Sequence, residues 1–320
     1  MRRDDGLTRQ GFLGAALAAA VGGGAAAQGT GQETGQAVGQ AVGQATPLHR
    51  RPIPSSGETL PVIGLGTWRG FDVGAKPAER APLREVVATL IGQGGRVIDS
   101  SPMYGHAEGV TGDLVAESKA REKIFLATKV WTSGHEAGIA QMERSFRLLR
   151  TERLDLMQIH NLLDWRTHLP TLRAWKAEGR IRHIGISHYT ESAYDAVEAV
   201  LRAERLDVLQ INYALDDRAA ETRLLPLAAE RGVAVLVNRP FGGGGLLRRL
   251  AHTPLPDYAA EIGCTSWAEI LLKFVISHPA VTCAIPGTAD ARHMAANLRA
   301  GTGPLPDEAL RRRMAATMPG

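Results

Sequence analysis

Between residues 61 and 298, short apolar runs alternate eight times with longer amphipathic stretches. The runs fall at 61–66, 96–99, 124–129, 154–160, 182–187, 207–212, 233–238 and 281–286. The amphipathic stretches fall at 83–91, 108–119, 139–149, 169–178, 193–203, 221–231, 267–277 and 291–298. Runs this short and this continuously apolar predict strands buried on both faces, and the intervening 3.6-residue period predicts helices. Eight such units, spaced by about thirty residues, predict an α/β chain of the (β/α)₈ barrel type. A doubly wound open sheet is the alternative, but it usually takes fewer strands and a phosphate loop after the first. Gly64-Leu65-Gly66-Thr67-Trp68-Arg69-Gly70 imitates that loop. Its glycine spacing is one residue too long, and no helical pattern follows directly.

The segment before the alternation has a different character. Residues 1–27 are expected to be an export signal: Arg2, Arg3 and Arg9 precede an apolar run at 11–21, and Ala25-Ala26-Ala27 offers a small-residue cleavage site. The run is too short and too rich in alanine and glycine for a stable membrane span. Thr8-Arg9-Gln10-Gly11-Phe12-Leu13 resembles a twin-arginine signal with Gln10 in place of the second arginine. The expected destination is therefore the periplasm or the medium, or the cytoplasm if the signal is not used. Residues 28–47 repeat Gly, Gln, Ala and Val without enough bulk to form a core, and read as a linker. The folded domain is expected over 48–320. Its partners are expected to be small molecules. The net charge of +4 is modest and no basic stripe with interleaved aromatics stands out, which argues against nucleic acid. Cys264 and Cys283 are the two cysteines, too few for a four-cysteine metal site; whether they pair is open. No metal site and no protein partner are indicated.

Three of the predicted strands end on polar residues. Asp99 closes the second, Lys129 the third and His160 the fourth, while Tyr104 follows the second across the turn Ser100-Ser101-Pro102. In a parallel barrel the carboxyl ends of the strands form one mouth, so these four side chains are expected to converge. Their chemistry is complementary. A carbonyl accepting hydride needs a proton donor for its developing alkoxide. A tyrosine can donate, although its ordinary pKa of about 10 is high for that work. A neighbouring ammonium favours the phenolate, so Lys129 is expected to lower the phenol's pKa. Asp99 would keep Lys129 charged and oriented, and His160 would align the substrate oxygen. Each residue also has a plainer reading. Asp99 caps a turn, Tyr104 packs under a loop, Lys129 reaches solvent, or His160 is a satisfied core histidine.

In the contexts Val97-Ile98-Asp99-Ser100-Ser101-Pro102-Met103-Tyr104-Gly105, Ala127-Thr128-Lys129-Val130 and Gln158-Ile159-His160-Asn161, these four residues resemble the aldo-keto reductase tetrad. Gly64-Leu65-Gly66-Thr67-Trp68, Ile184-Gly185-Ile186-Ser187 and Ile285-Pro286-Gly287-Thr288 match the same family, and the likeness spans residues 48 to 300. It implies a barrel with an amino-terminal hairpin near 50–60, a nicotinamide cofactor, Tyr104 as general acid, and Asp99, Lys129 and His160 in support. It also implies a cofactor wall. Gly66, Thr67 and Trp68 open it, and Ser187, His188 and Gln210 hold the carboxamide, with His188 where the family often has asparagine. Asn238 stands where many relatives stack a tyrosine. The loop Arg239, Pro240, Phe241, Gly242, Gly243 faces the pyrophosphate. Ile285, Gly287, Thr288, Arg292, His293 and Asn297 meet the adenosine end. Gly287 and His293 replace basic residues frequent in NADP-selective relatives, and Arg292 is the expected substitute. NADP is the expected cofactor, with NAD open.

The expected reaction is reduction of an aldehyde, ketone or sugar carbonyl to the alcohol, or its reverse. The alternatives are a nicotinamide-binding redox sensor or partner subunit with little turnover, and a sugar-binding barrel without redox chemistry. Substrate identity rests on loops that vary independently of the barrel. Trp68, Trp131 and Trp165 are candidates for its pocket wall, and short segments at 161–168 and after residue 298 suggest an open mouth.

Overall fold

Continuous apolar runs form strands here because both faces of each strand are covered, one by the barrel interior and the other by helices. The computed structural model describes residues 46–317, so the expected signal and nearly all of the expected linker lie outside the described residues. An antiparallel hairpin comes first, β1 (Arg50–Pro52) with β2 (Thr59–Pro61), at the place expected. The barrel strands follow as β3 (Leu65–Gly66), β4 (Val97–Asp99), β5 (Phe125–Val130), β6 (Leu154–His160), β7 (Ile181–Ser187), β8 (Val208–Asn212), β9 (Ala234–Asn238) and β10 (Val281–Ala284). They pair in parallel in sequence order. The ring closes where Gly64 N–H donates to Ala284 O at 2.8 Å and Gly66 N–H donates to Pro286 O at 3.1 Å. Closure needs glycine at Gly66, because a Cβ there would lie 2.7 Å from Ile285 O.

The outer layer comprises α1 (Pro77–Gly92), α2 (Ala107–Glu117), α3 (His135–Leu148), α4 (Trp165–Ala177), α5 (Tyr194–Ala203), α6 (Leu224–Glu230), α7 (Gly245–Leu250), α8 (Tyr258–Glu261), α9 (Trp267–Ser277), α10 (Ala291–Ala300) and α11 (Glu308–Ala316). Eight of these match the amphipathic stretches. The additional α7, α8 and α11 are short, or lie beyond the eighth repeat. None of the described helices is long and apolar enough to cross a membrane.

The interior explains why the mouth is polar. Side chains alternate along a strand, so residues two apart share a face. One buried cluster joins Val97, Phe125, Ala127, Leu156, Val208 and Leu236 from the barrel strands to Ile53 and Leu60 from the hairpin. The hairpin thus plugs the amino-terminal end of the barrel. Continuing along the same faces, Val97 leads to Asp99, Ala127 to Lys129, Leu156 to Gln158 and His160, and Val208 to Gln210. Period two therefore delivers these polar side chains to the carboxyl-terminal end of the interior.

Candidate active site

Asp99 is the hub of the polar interior. Its Oδ2 accepts from Lys129 Nζ at 2.6 Å, and its Oδ1 accepts from Gln158 Nε2 and from Gln210 Nε2, both at 2.9 Å. Lys129 Nζ also donates to Ser100 O at 2.7 Å. The Lys129 side chain is fully buried and that of Asp99 is 3% exposed, so water does not compete for the pair. A buried ion pair persists only when its remaining hydrogen-bonding positions are filled, and here two amides and a carbonyl fill them. Burial works against the Lys129 ammonium, but Asp99 and Tyr104 outweigh it and hold the pKa above the usual lysine value. Lys129 is therefore a fixed cation beneath the mouth.

Tyr104 sits over that cation, with Lys129 Nζ 5.1 Å from the centre of its ring. The structure corrects one expectation here. Lys129 does pull the phenol's pKa down, but burial pushes it up more strongly and Asp99 adds to the rise, so the net shift is upward. The phenol consequently keeps its proton. His160 stands edge-on to Tyr104, with ring centres 6.0 Å apart and an interplanar angle of 88°. Burial, then Lys129 and then His188, lowers the His160 pKa to about 2, leaving the imidazole neutral. The four residues therefore converge as expected.

Above them lies a cleft of about 1140 Å³. Asp99, Tyr104 and His160 reach its wall, whereas Lys129 lies behind it. Gly66, Thr67 and Trp68 border one side, with Thr67 Oγ1 bonded to Asp99 O at 3.0 Å. Ser187, His188 and Gln210 line it from the ends of β7 and β8, and Asn238, Arg239, Pro240, Phe241 and Gly243 from the end of β9. Ile285, Gly287, Thr288, His293 and Asn297 complete the expected wall. Two candidates fall outside it. Gly242 does not border it; its φ is 59°, and a Cβ there would lie 3.1 Å from the Asp216 carboxylate. Arg292, 89% exposed, folds back onto Asp290 at 2.6 Å, where that carboxylate caps α10 through the Arg292 N–H. A capping aspartate next to it holds the guanidinium outside this wall. Trp68 and Trp131 line the cleft as expected. Trp165 does not; it starts α4 and packs on the core.

Several wall residues escaped sequence reasoning. Arg299 reaches the cleft from α10 and is held by the buried Glu269 carboxylate at 2.8 Å. Asn161, Tyr189 and Trp267 also line it. Asn161 and Tyr189 each follow a strand-end residue already singled out, His160 and His188, and that adjacency was the available signal. Gln158 was legible by period two from His160.

The wall suits a ligand rich in polar groups. Ser187 Oγ, Asn238 Oδ1 and Asn161 Oδ1 are buried without a hydrogen-bond partner. A buried polar atom left unpaired costs about 1–3 kcal/mol, so such atoms clustered around one cleft point to a ligand that satisfies them. Gly243 and Gly244 have φ of 68° and 89°, which side-chain-bearing residues rarely adopt, and their bare backbone permits close approach by a phosphate.

Residues 62–316 match the model of the aldo/keto reductase family. The methylglyoxal reductase YeaE of Escherichia coli is 31% identical over 259 residues, covering 78% of this chain and 89% of its own length. An aldo-keto reductase of Mycobacterium sp. (strain JLS) is 30% identical over 228 residues, covering 69% of this chain and 76% of its own. Among solved structures, an aldo/keto reductase of Klebsiella pneumoniae in complex with NADP and acetate superposes with a TM-score of 0.70 at 28% identity, covering 81% of this chain and 92% of that one.

Proposed function

The chain belongs to the aldo/keto reductase family, and on that premise we propose that it is an NADPH-dependent reductase of an aldehyde, ketone or sugar carbonyl, with Tyr104 as the general acid. The observation that carries this reading is the protonated Tyr104 phenol over the buried Lys129–Asp99 pair, beside a neutral His160. A nicotinamide cofactor bound in the cleft would supply the hydride. Ser187 and Asn238 would hold it through their unpaired atoms, and the Gly243–Gly244 backbone would accommodate its phosphates. Tyr104 Oη gives its proton to the carbonyl oxygen as charge develops there. Lys129, held by Asp99, stabilises the phenolate left behind. His160 hydrogen-bonds the same oxygen and aims it at the phenol.

Small dicarbonyls are the first substrates to try, since the Escherichia coli relative carries the name of methylglyoxal reductase. NADPH is expected to bind more tightly than NADH, because Arg299 and His293 both border the cleft and offer positive or hydrogen-bonding groups to an added phosphate. The margin is expected to be small, because Glu269 already neutralises Arg299.

Fluorescence titration with both nucleotides, followed by methylglyoxal turnover in the wild type and in Tyr104→Phe, tests the reading. Tyr104→Phe is expected to lose about 100-fold or more in kcat while retaining NADPH affinity. Failure of both nucleotides to bind would overturn the proposal. We also propose that the protein is exported, on the strength of the charged, apolar and small-residue order of residues 1–27. Fractionation of cells expressing the full chain tests this, and recovery solely from the cytoplasm, at full length, would refute it.

A further inference from the structure

The tetrad accounts for the proton donor and its support, but not for how a neutral histidine comes to present the correct nitrogen. An imidazole that keeps no extra charge has one N–H and one bare nitrogen, and only the N–H can donate to a substrate oxygen. Which nitrogen carries the proton is decided by the partner of the other. His160 Nδ1 has such a partner in Ser101 Oγ, 3.1 Å away. No described residue hydrogen-bonds Nε2, and His160 lines the cleft.

We propose that Ser101 is a positioning residue that holds His160 in the tautomer with the proton on Nε2, so that this nitrogen donates to the substrate carbonyl oxygen. The catalytic consequence rests on the carbonyl-reductase reading above.

A count of protons around Ser101 carries the inference. The residue is completely buried, so its hydroxyl is out of contact with bulk solvent. Among the described residues its Oγ has two hydrogen-bonding neighbours. One is the Met103 N–H at 3.5 Å, which is a donor whatever the state of the histidine. The other is His160 Nδ1. Were Nδ1 protonated, Oγ would face two donors, and its own hydrogen would be buried with nothing to accept it. With Nδ1 bare, the hydroxyl donates to Nδ1, accepts from Met103 N–H, and is fully used. The satisfied arrangement leaves the imidazole proton on Nε2. The low pKa of His160 supports this, because a neutral ring is the one in which the tautomer matters.

The fold makes the arrangement rigid. Ser101 O accepts from Tyr104 N–H at 3.0 Å, so one turn carries both the proton donor and the residue that sets its partner. The preceding Ser100 is tied independently, since its carbonyl accepts from Lys129 Nζ and its hydroxyl lies within hydrogen-bonding distance of Thr67 Oγ1, at 3.0 Å.

The test is nitrogen-15 NMR of the full chain with labelled histidine, the His160 signals being assigned by their loss in His160→Asn. The wild type is expected to show one neutral tautomer, with Nε2 protonated and Nδ1 bare. Ser101→Ala is expected to show a mixture of tautomers and a kcat for methylglyoxal lowered about tenfold, with NADPH affinity unchanged. Ser101→Thr, which keeps the hydroxyl, is expected to restore the single tautomer. A protonated Nδ1 in the wild type would overturn the proposal, as would a Ser101→Ala spectrum identical to that of the wild type. The tautomer is read without turnover. A chain that fails to bind NADPH would sink the reductase reading while leaving the tautomer result to stand or fall by itself.

Discussion

Tyr104 and His160 carry opposite perturbations, and both favour the uncharged form. The phenol is pushed up mainly by burial, against the pull of Lys129. The imidazole is pushed down to about 2 by burial, Lys129 and His188. Reduction requires the protonated phenol, whose folded pKa lies above its ordinary value of about 10. The competent form is therefore complete at neutral pH and is lost only as pH rises through that raised value. His160 adds no acid limb in the working range. The expected pH profile of kcat for carbonyl reduction is flat through neutrality and falls only at the alkaline end. A fall centred near pH 6.5 would show that His160 takes up a proton and would contradict the neutral imidazole. The Lys129–Asp99 pair invites a second measurement. Lys129→Met leaves a buried carboxylate without its cation and is expected to cost about 3–5 kcal/mol in denaturant unfolding. Lys129→Met combined with Asp99→Asn is expected to cost less than the sum of the two single changes, because neither partner is left charged alone. Asp99, Lys129 and His160 were legible in the sequence because each interrupts an apolar strand with a group that burial disfavours. Ser101 was not, since a serine in a turn is ordinary and its role depends on a histidine 59 residues away.

At the scale of elements, what was legible followed from repetition. Each central strand is a continuous apolar run, and the predicted 154–160 coincides with β6 (Leu154–His160). The first barrel strand reads as 61–66 but is divided between hairpin strand β2 and the two-residue β3, because the chain must first plug the barrel and then join it. The glycine loop after β9 hides α7, since glycine weakens any helical pattern and Gly245 opens the helix. Helix α11 lies outside the repeats, and its value comes from one residue. Arg311 donates to Tyr213 Oη, Glu221 Oε1 and Ser277 Oγ, each at 2.6 Å, and also to Phe274 O. This guanidinium fastens α11 to α9 and to the segments beyond β8. Its side chain is 12% exposed and that of Glu221 25%, so the pair is partly screened by solvent. Arg311→Leu is therefore expected to destabilise by about 2 kcal/mol, below the range for a fully buried pair. The denaturant midpoint should fall with the m-value unchanged. Activity below the melting range should be retained, since Arg311 does not border the cleft. A loss of activity without a loss of stability would mean that α11 shapes the mouth.

Across the folded unit, the two ends of the barrel are finished differently, and the difference predicts how a ligand acts on the whole. At the amino end, hairpin side chains Ile53 and Leu60 complete an apolar cluster and leave nothing for a ligand to add. At the carboxyl end, Ser187 Oγ, Asn161 Oδ1 and Asn238 Oδ1 stay unpaired around the cleft, and Trp68, Met103, Trp131 and Tyr189 are each at least 40% exposed. A nucleotide that satisfies those atoms binds the folded state and not the unfolded chain. Mass action then stabilises the fold by about 2.7 kcal/mol at a nucleotide concentration one hundred times Kd. For a domain of this size each kcal/mol raises Tm by about 2–4 °C, so NADPH is expected to raise it by about 5–10 °C. Tyr104→Phe should keep that increment, because in the proposed reaction its phenol serves the proton and not the nucleotide. Arg311→Leu should start from a lower Tm and gain the same increment, since distant and independent effects add. Differential scanning fluorimetry on these three proteins, with and without NADPH, reads the prediction directly. Equal increments would show that nucleotide binding depends neither on the Tyr104 hydroxyl nor on the anchoring of α11. An increment lost in Arg311→Leu would show instead that the outer helix and the mouth melt as one unit.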